Sequence, residues 1–397
     1  MDRLWLFVAA AVPLGFSLLS IRAEVAPLSP EEVNLRVGTQ FFDGIYSLGT
    51  NHPLVDAAQH IRQMGSDIIK FRLSPQSAVR CPDVKDLTEL ARREPGIREV
   101  LSMPFRHVLV WAYRFPRGRE TAWVDGFSDE EAAEEYRQLH DLAVYLLTNF
   151  NDTGKTFYLG HWEGDWHLLP RTANGYNVRT NPPPVRIEGM RRWLQVRQQA
   201  VDDARRSVPH RRVDVRAYAE VNRVRDAMLN PADSNQRAIN AVVPFVEQLD
   251  FVSWSAYDGQ NLAGSELHKT LDFIEAHLPK AKSVELPGRR VFIGEFGFGG
   301  RLDPVQQLEP TRRFVADTLG WGCRFVLFWQ LVTNEPDRYY SLILRDGFIT
   351  PCYELFARYY VEARGAVRQF WKVHGRPPND QEFAEIAVPI LQRLPAP

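Results

Sequence analysis

An eight-fold β/α barrel is the architecture this sequence predicts, on three observations. Eight short runs rich in β-branched and aromatic residues alternate with longer segments of helical period, the rhythm of parallel strands joined by covering helices. The 397 residues suit one large barrel with decorations as well as they suit two domains. The first run, Val37-Gly38-Thr39-Gln40, leads into Phe41-Phe42 rather than a glycine-rich phosphate loop, which weakens the competing doubly wound open sheet.

The strands are expected at 36–42, 66–73, 106–113, 156–162, 212–219, 250–257, 290–296 and 324–331. Helices are expected between them at 53–64, 128–149, 187–207, 234–249, 265–277 and 304–319, with an eighth from Pro351 to about Arg364. Ser128 followed three residues later by Glu131 makes a capping box for one of them. After the barrel, assigned to 24–366, a C-terminal tail at 367–397 holds one helical stretch from Gln381 to Leu394, behind the turn signal Pro377-Pro378-Asn379-Asp380.

The chain opens like a secretory leader. Arg3 precedes an apolar run from Leu4 to Leu19, and small residues follow near Ala23 and Ala26, so residues 1–23 are expected to be removed on export to the outside or the periplasm. The run is short and broken by Pro13, and nothing later is apolar for long enough to span a bilayer. Cys81 and Cys352 fall in loops of one barrel face and could pair in an oxidising compartment, while Cys323 opens a strand and should be buried. No metal-ligand spacing occurs, no cofactor motif is present, and no metal or cofactor is expected.

A net charge of -1 removes the electrostatic case for a nucleic-acid binder, which needs a basic surplus. Aromatic residues make up 12% of the chain, including 10 Trp, a supply suited to stacking flat apolar faces. Chemistry in such a barrel sits where strands end. Two glutamates qualify: strand four leads through His161-Trp162 to Glu163, and strand seven ends Gly294-Glu295-Phe296. Glu163 shares strand parity with Phe157 and Leu159, and Glu295 with Val291 and Ile293, so both are expected to project with barrel-filling side chains. His107, early in strand three, is expected to be a satisfied buried histidine.

These residues resemble the clan of retaining glycosidases with barrel folds that includes cellulases, mannanases and β-galactosidases, over roughly 36–364. The resemblance implies Glu163 as acid/base and Glu295 as nucleophile. It also matches Arg72 at the end of strand two, Tyr257 at the end of strand six and Trp329 at the end of strand eight, the places where the clan keeps an Arg and a Tyr beside the nucleophile and a Trp under the sugar. The clan's Asn before the acid/base is replaced by Trp162, so its contact to the sugar falls to His161 or Asn222. Asn334-Glu335-Pro336 reproduces the clan's strand-four tripeptide, but it follows the last strand and leaves no room for four more βα units.

A carboxylic acid that protonates the leaving oxygen and a carboxylate that attacks the anomeric carbon need different environments. The expectation is Glu295 ionised beside Arg72 and Tyr257, and Glu163 protonated between Trp162 and Trp166, with Asp165 or Glu220 as the substitute acid. The implied partner is an oligo- or polysaccharide. The alternative is a catalytically inactive barrel that binds carbohydrate or another partner, to which the missing Asn points.

Overall fold

The computed structural model describes residues 27, 29–117, 123–173, 175–229, 235–279, 288–300 and 302–394. The expected leader lies outside them. Strands β1 (Val37–Gln40), β2 (Ile68–Leu73), β3 (His107–Ala112), β4 (Lys155–Gly160), β5 (Val213–Val221), β6 (Phe251–Ser255), β7 (Val291–Phe296) and β8 (Val326–Phe328) form a closed parallel barrel. Val37 pairs with Val326 to shut it, which excludes the open sheet. Helices cover the outer face and side chains fill the inner one, so nearly every strand residue is buried and the strands read as continuous apolar runs.

Rings of His107, Tyr158, Phe251, Phe292 and Phe325 meet at centroid distances of 5.1 to 6.4 Å and plug the lower barrel. His107 is the satisfied histidine its position suggests, with Nδ1 3.3 Å from the Tyr158 hydroxyl. This plug corrects the parity expected from the sequence. The inward positions of β4 and β7 are Tyr158 and Phe292, whereas Phe157 packs outward on Phe150, which follows a covering helix. The two glutamates therefore reach the interior by departures from regular strand geometry.

The helices α1 (Pro53–Met64), α2 (Leu87–Arg93), α3 (Pro95–Ser102), α4 (Asp129–Asn149), α5 (Gly164–Leu168), α6 (Pro184–Ser207), α7 (Val224–Leu229), α8 (Gly264–His277), α9 (Leu308–Trp321), α10 (Pro351–His374) and α11 (Asp380–Arg393) surround the strands. Ser128 and Glu131 form the expected capping box on α4. The helix expected over 234–249 is instead a π-helical turn, Ala238–Val242, followed by a 3-10 turn, Val243–Phe245. Pro244 has no N–H to donate and its ring crowds the preceding turn, which disfavours a regular α-helix through it. α10 runs on to His374 without a break. α11 docks under the barrel, where Asp380 pairs with Arg36 at 2.5 Å and the Phe383 ring lies 4.5 Å from the same guanidinium. Cys81, Cys323 and Cys352 are free thiols, and Cys323 is buried as expected. Among the described residues no helix is long and apolar enough to cross a membrane.

Candidate active site

The barrel mouth holds four buried charged side chains. Lys70 from β2 and Glu220 from β5 have no exposed surface, Glu295 from β7 is 2% exposed, and Glu163 beyond β4 is 7% exposed. Each is placed by a local feature. β4 ends at Gly160 because nothing larger fits: a Cβ there would lie 2.1 Å from the Tyr218 ring. The chain then turns through His161 and Trp162 and brings Glu163 back over the opening.

Glu295 is aimed by a bulge. Trp254 opposes Ile293 and Ser255 opposes Glu295, so Gly294 is an extra residue on β7, and the ladder to β8 shifts at the same place. Gly294 faces inward, where a Cβ would meet Ser253 Oγ at 1.8 Å, and the bulge turns Glu295 inward beside it. Phe296 returns to the outer face and packs on Phe314 of α9.

Lys70 Nζ donates to Glu220 Oε2 at 2.8 Å and to the Gly294 carbonyl at 3.1 Å, and lies 3.7 Å from Glu295 Oε1. Its ammonium also sits 4.7 Å from the centre of the Trp111 ring. Glu220 accepts from Ser253 Oγ at 2.9 Å and from the Glu163 backbone N–H at 3.2 Å. Tyr257 donates its hydroxyl to Glu295 Oε2 at 3.3 Å, and Trp166 Nε1 donates to Glu163 Oε2 at 2.8 Å.

Burial, which removes water from the charged form, raises the pKa of both outer carboxyl groups. Glu163 is pushed up to about 8, with the Glu220 charge adding to burial and the Trp166 hydrogen bond opposing it. Burial also raises Glu295 well above the usual carboxylate range, and there the first opposing influence is Lys70. Burial lifts the Tyr257 phenol as well, with Glu295 adding to it, so its hydroxyl stays a donor.

The structure brings Glu163, Glu295 and Tyr257 together, with Trp329 beside them on an aromatic wall. Trp329 stacks on Phe42 at 5.4 Å and on Trp111 at 6.1 Å. Trp162 is half-buried, its ring edge-on to His167. The other residues singled out from the sequence have different partners. The Arg72 guanidinium pairs with Asp43 at the rim, and the cation beside Glu295 is Lys70. His161 is fully buried; its Nε2 accepts the Glu220 N–H at 3.2 Å and its Nδ1 faces the Trp162 carbonyl at 2.9 Å. Burial pushes its pKa well down, which keeps the ring neutral with the proton on Nδ1.

Asn222 and Asp165 clamp one another. Asp165 accepts backbone N–H bonds from Asn222 at 3.0 Å, Arg223 at 3.0 Å and Ala238 at 2.7 Å, and its own N–H donates to Asn222 Oδ1 at 3.1 Å. Asp165 is thus tied to the backbone of two loops and is no substitute acid. Glu335 of the Asn334-Glu335-Pro336 tripeptide lies in an exposed loop, 3.8 Å from Arg338.

Sequence reasoning missed Lys70 entirely and left Glu220 as a fallback acid. Both carried a signal: each puts a charge inside a local run of apolar and aromatic residues, Ile-Ile-Lys-Phe in β2 and Ala-Tyr-Ala-Glu-Val in β5. A charge on the inner face of a barrel strand needs a partner, and the two partner each other.

No protein-family model matches the sequence, and no curated protein matches it. Solved structures do. An exo-β-1,4-mannosidase from Opitutaceae bacterium strain TAV5 aligns at a TM-score of 0.55 and 11% identity, over 84% of this chain and 60% of that one. A GH5_18 protein from Streptomyces cattleya, in complex with Manb1-4GlcNAc, aligns at 0.52 and 14% identity over 90% of each chain. A family 5 xyloglucanase from Paenibacillus pabuli aligns at 0.51 and 12% identity, over 83% of this chain and 98% of that one. The protein thus has the barrel fold of family 5 glycoside hydrolases, and it spans about three fifths of the mannosidase chain.

Proposed function

We propose that this protein is an exported glycoside hydrolase that cleaves a β-linked oligo- or polysaccharide by a retaining, two-carboxylate mechanism. The observation that carries the reading is the pair of buried carboxyl groups beyond β4 and on β7, both raised above the usual carboxylate range by burial, with the Lys70 ammonium 3.7 Å from the one on β7. Glu163 donates that proton to the glycosidic oxygen as the C–O bond breaks, and Glu295 forms the new bond to the anomeric carbon. In the second step a water oxygen attacks that carbon, Glu163 takes the water's proton, and Glu295 leaves as the free carboxylate. Tyr257 holds Glu295 in line. Trp329 and Trp162 offer faces for the C–H side of a pyranose ring, and Arg72 reaches the sugar from the rim. His161 engages both ring nitrogens within the protein, whereas Asn222 spends its Oδ1 on the Asp165 N–H and leaves its buried Nδ2 without a hydrogen-bond partner among the described residues.

The test is turnover of aryl β-glycosides and a glycan panel, with the first-formed anomer read by proton NMR. A β product anomer supports the reading, and an α anomer refutes retention. Glu163→Ala should slow substrates with poor leaving groups far more than activated aryl glycosides, and added azide should rescue it as a glycosyl azide. Glycan binding with no turnover would instead identify a binding barrel, the second reading, which Trp162 in place of Asn favours.

A further inference from the structure

The mouth holds three carboxyl groups and one ammonium, and the inner pair is not symmetric about the outer two. Lys70 Nζ lies 3.7 Å from the Glu295 carboxyl, while the Glu220 carboxylate takes the backbone N–H of Glu163 at 3.2 Å. The 2.8 Å ion pair between them is completely enclosed, so water screens it less than a surface pair and its field reaches its neighbours.

We propose that the Lys70–Glu220 ion pair, oriented with its cation toward Glu295 and its anion beneath Glu163, places the proton on Glu163 and the negative charge on Glu295. Lys70 and Glu220 are then positioning residues, and the inference rests on the roles assigned to the two outer glutamates above. Its orientation is held from four sides: Ser253 Oγ and the Glu163 N–H hold the carboxylate, and the Gly294 carbonyl and the Trp111 ring hold the ammonium. The His161 imidazole, neutral and fully buried, fixes the strand beneath by accepting the Glu220 N–H.

The influences on the outer groups have the signs this arrangement demands. At Glu163 the Glu220 charge outweighs Lys70, and at Glu295 Lys70 outweighs Glu220. Burial weighs on both and raises Glu295 well above the carboxylate range; the pair works with burial at Glu163 and against it at Glu295, opposing the order that burial alone would give. The remaining groups that face the two carboxyls are Asp165 behind Glu163, and the phenols of Tyr257, Tyr218 and Tyr340 around Glu295. Asp165 is bound by three N–H groups and burial keeps the phenols neutral, so none supplies a cation to compete with Lys70. Two carboxyls with matched surroundings would share a proton indifferently; a fixed dipole between them separates the acid from the nucleophile before any substrate arrives.

The experiment is a carbon-13 NMR titration of the protein labelled at glutamate side-chain carboxyls, with Glu163 and Glu295 assigned from Glu163→Gln and Glu295→Gln. In the unaltered protein Glu163 loses its proton at higher pH than Glu295. Glu220→Gln should lower the Glu163 midpoint by roughly one to two pH units, more than that of Glu295. If that variant does not fold, Lys70→Met/Glu220→Gln carries the test, because it removes the pair whole and leaves no buried charge alone. There the Glu163 midpoint falls, the Glu295 midpoint rises and the gap closes. A folded double variant with the gap unchanged overturns the proposal, as does a wild-type order with Glu295 above Glu163. The titration needs no turnover, so a closing gap in a protein that hydrolyses no glycan sinks the hydrolase reading alone, and an unchanged gap in an active one sinks the dipole alone.

Discussion

Replacing Glu163 by Gln should make the protein more stable, and only at neutral to alkaline pH. The carboxyl is held up at about 8 against an ordinary 4.5, chiefly by burial. Between those values the folded chain keeps a proton that the unfolded chain has lost, so stability falls as pH rises through this window and levels off above about 8. Below 4.5 both states are protonated and the penalty vanishes. At about 1.36 kcal/mol per pH unit, the full difference sets a ceiling on the order of 5 kcal/mol. Glu163 and Glu295 repel each other, so ionisation of one is eased when the other keeps its proton, and about 2–3 kcal/mol is the gain expected of the single variant. Gln preserves the shape and can still accept from Trp166 Nε1. The assay is urea unfolding of both proteins at pH 4, 6.5 and 9. The curves should coincide at pH 4 and separate by pH 9 with the variant ahead; a constant difference at all three values refutes the argument that Glu163 is a buried, proton-holding acid.

Four further outcomes are expected. Glu295→Gln should abolish turnover while the protein still folds and binds glycan, since it removes the attacking charge and keeps the shape; unaltered rates would end the nucleophile assignment. Asp165→Asn should cost about 2–4 kcal/mol in urea unfolding, because the new amide turns N–H groups toward backbone N–H donors; a loss below about 1 kcal/mol would show that the clamp is dispensable. Gly160→Ala should lower stability by about 1–3 kcal/mol through collision with the Tyr218 ring, read as a drop in Tm, and an unchanged Tm would contradict the packing at the end of β4. Expression in a secreting host should yield a mature chain beginning just after Ala23 or Ala26, checked by N-terminal sequencing; a retained Met1 in exported protein would contradict the leader.

All eight strands were legible because a two-faced buried strand leaves an apolar run bounded by polar turns, as in Val291–Phe296. Helix positions followed from caps such as Ser128–Glu131, and failed where Pro244 broke the period. Glu163, Glu295 and Tyr257 could be placed at strand ends by counting. What counting could not show is which partner a long side chain selects: Arg72 and Lys70 lie two residues apart on one strand face, and only the folded mouth reveals that the rim takes one and the interior the other. Parity failed for a different reason. It assumes an unbroken pleat, and the inserted Gly294 is visible only when the register of three neighbouring strands is compared.

That inserted residue makes the nucleophile a property of spacing as much as of chemistry. Delete Gly294 and the pleat runs regularly through β7, so that the same glutamate drops into the inward seat the glycine now holds, one residue deeper, where its Cβ would collide with Ser253 Oγ. Anyone transplanting this pair of acids into a blank barrel would have to carry the extra residue with them, and a homologous chain that keeps the Glu but loses the glycine insertion would hold the right letter one layer too low.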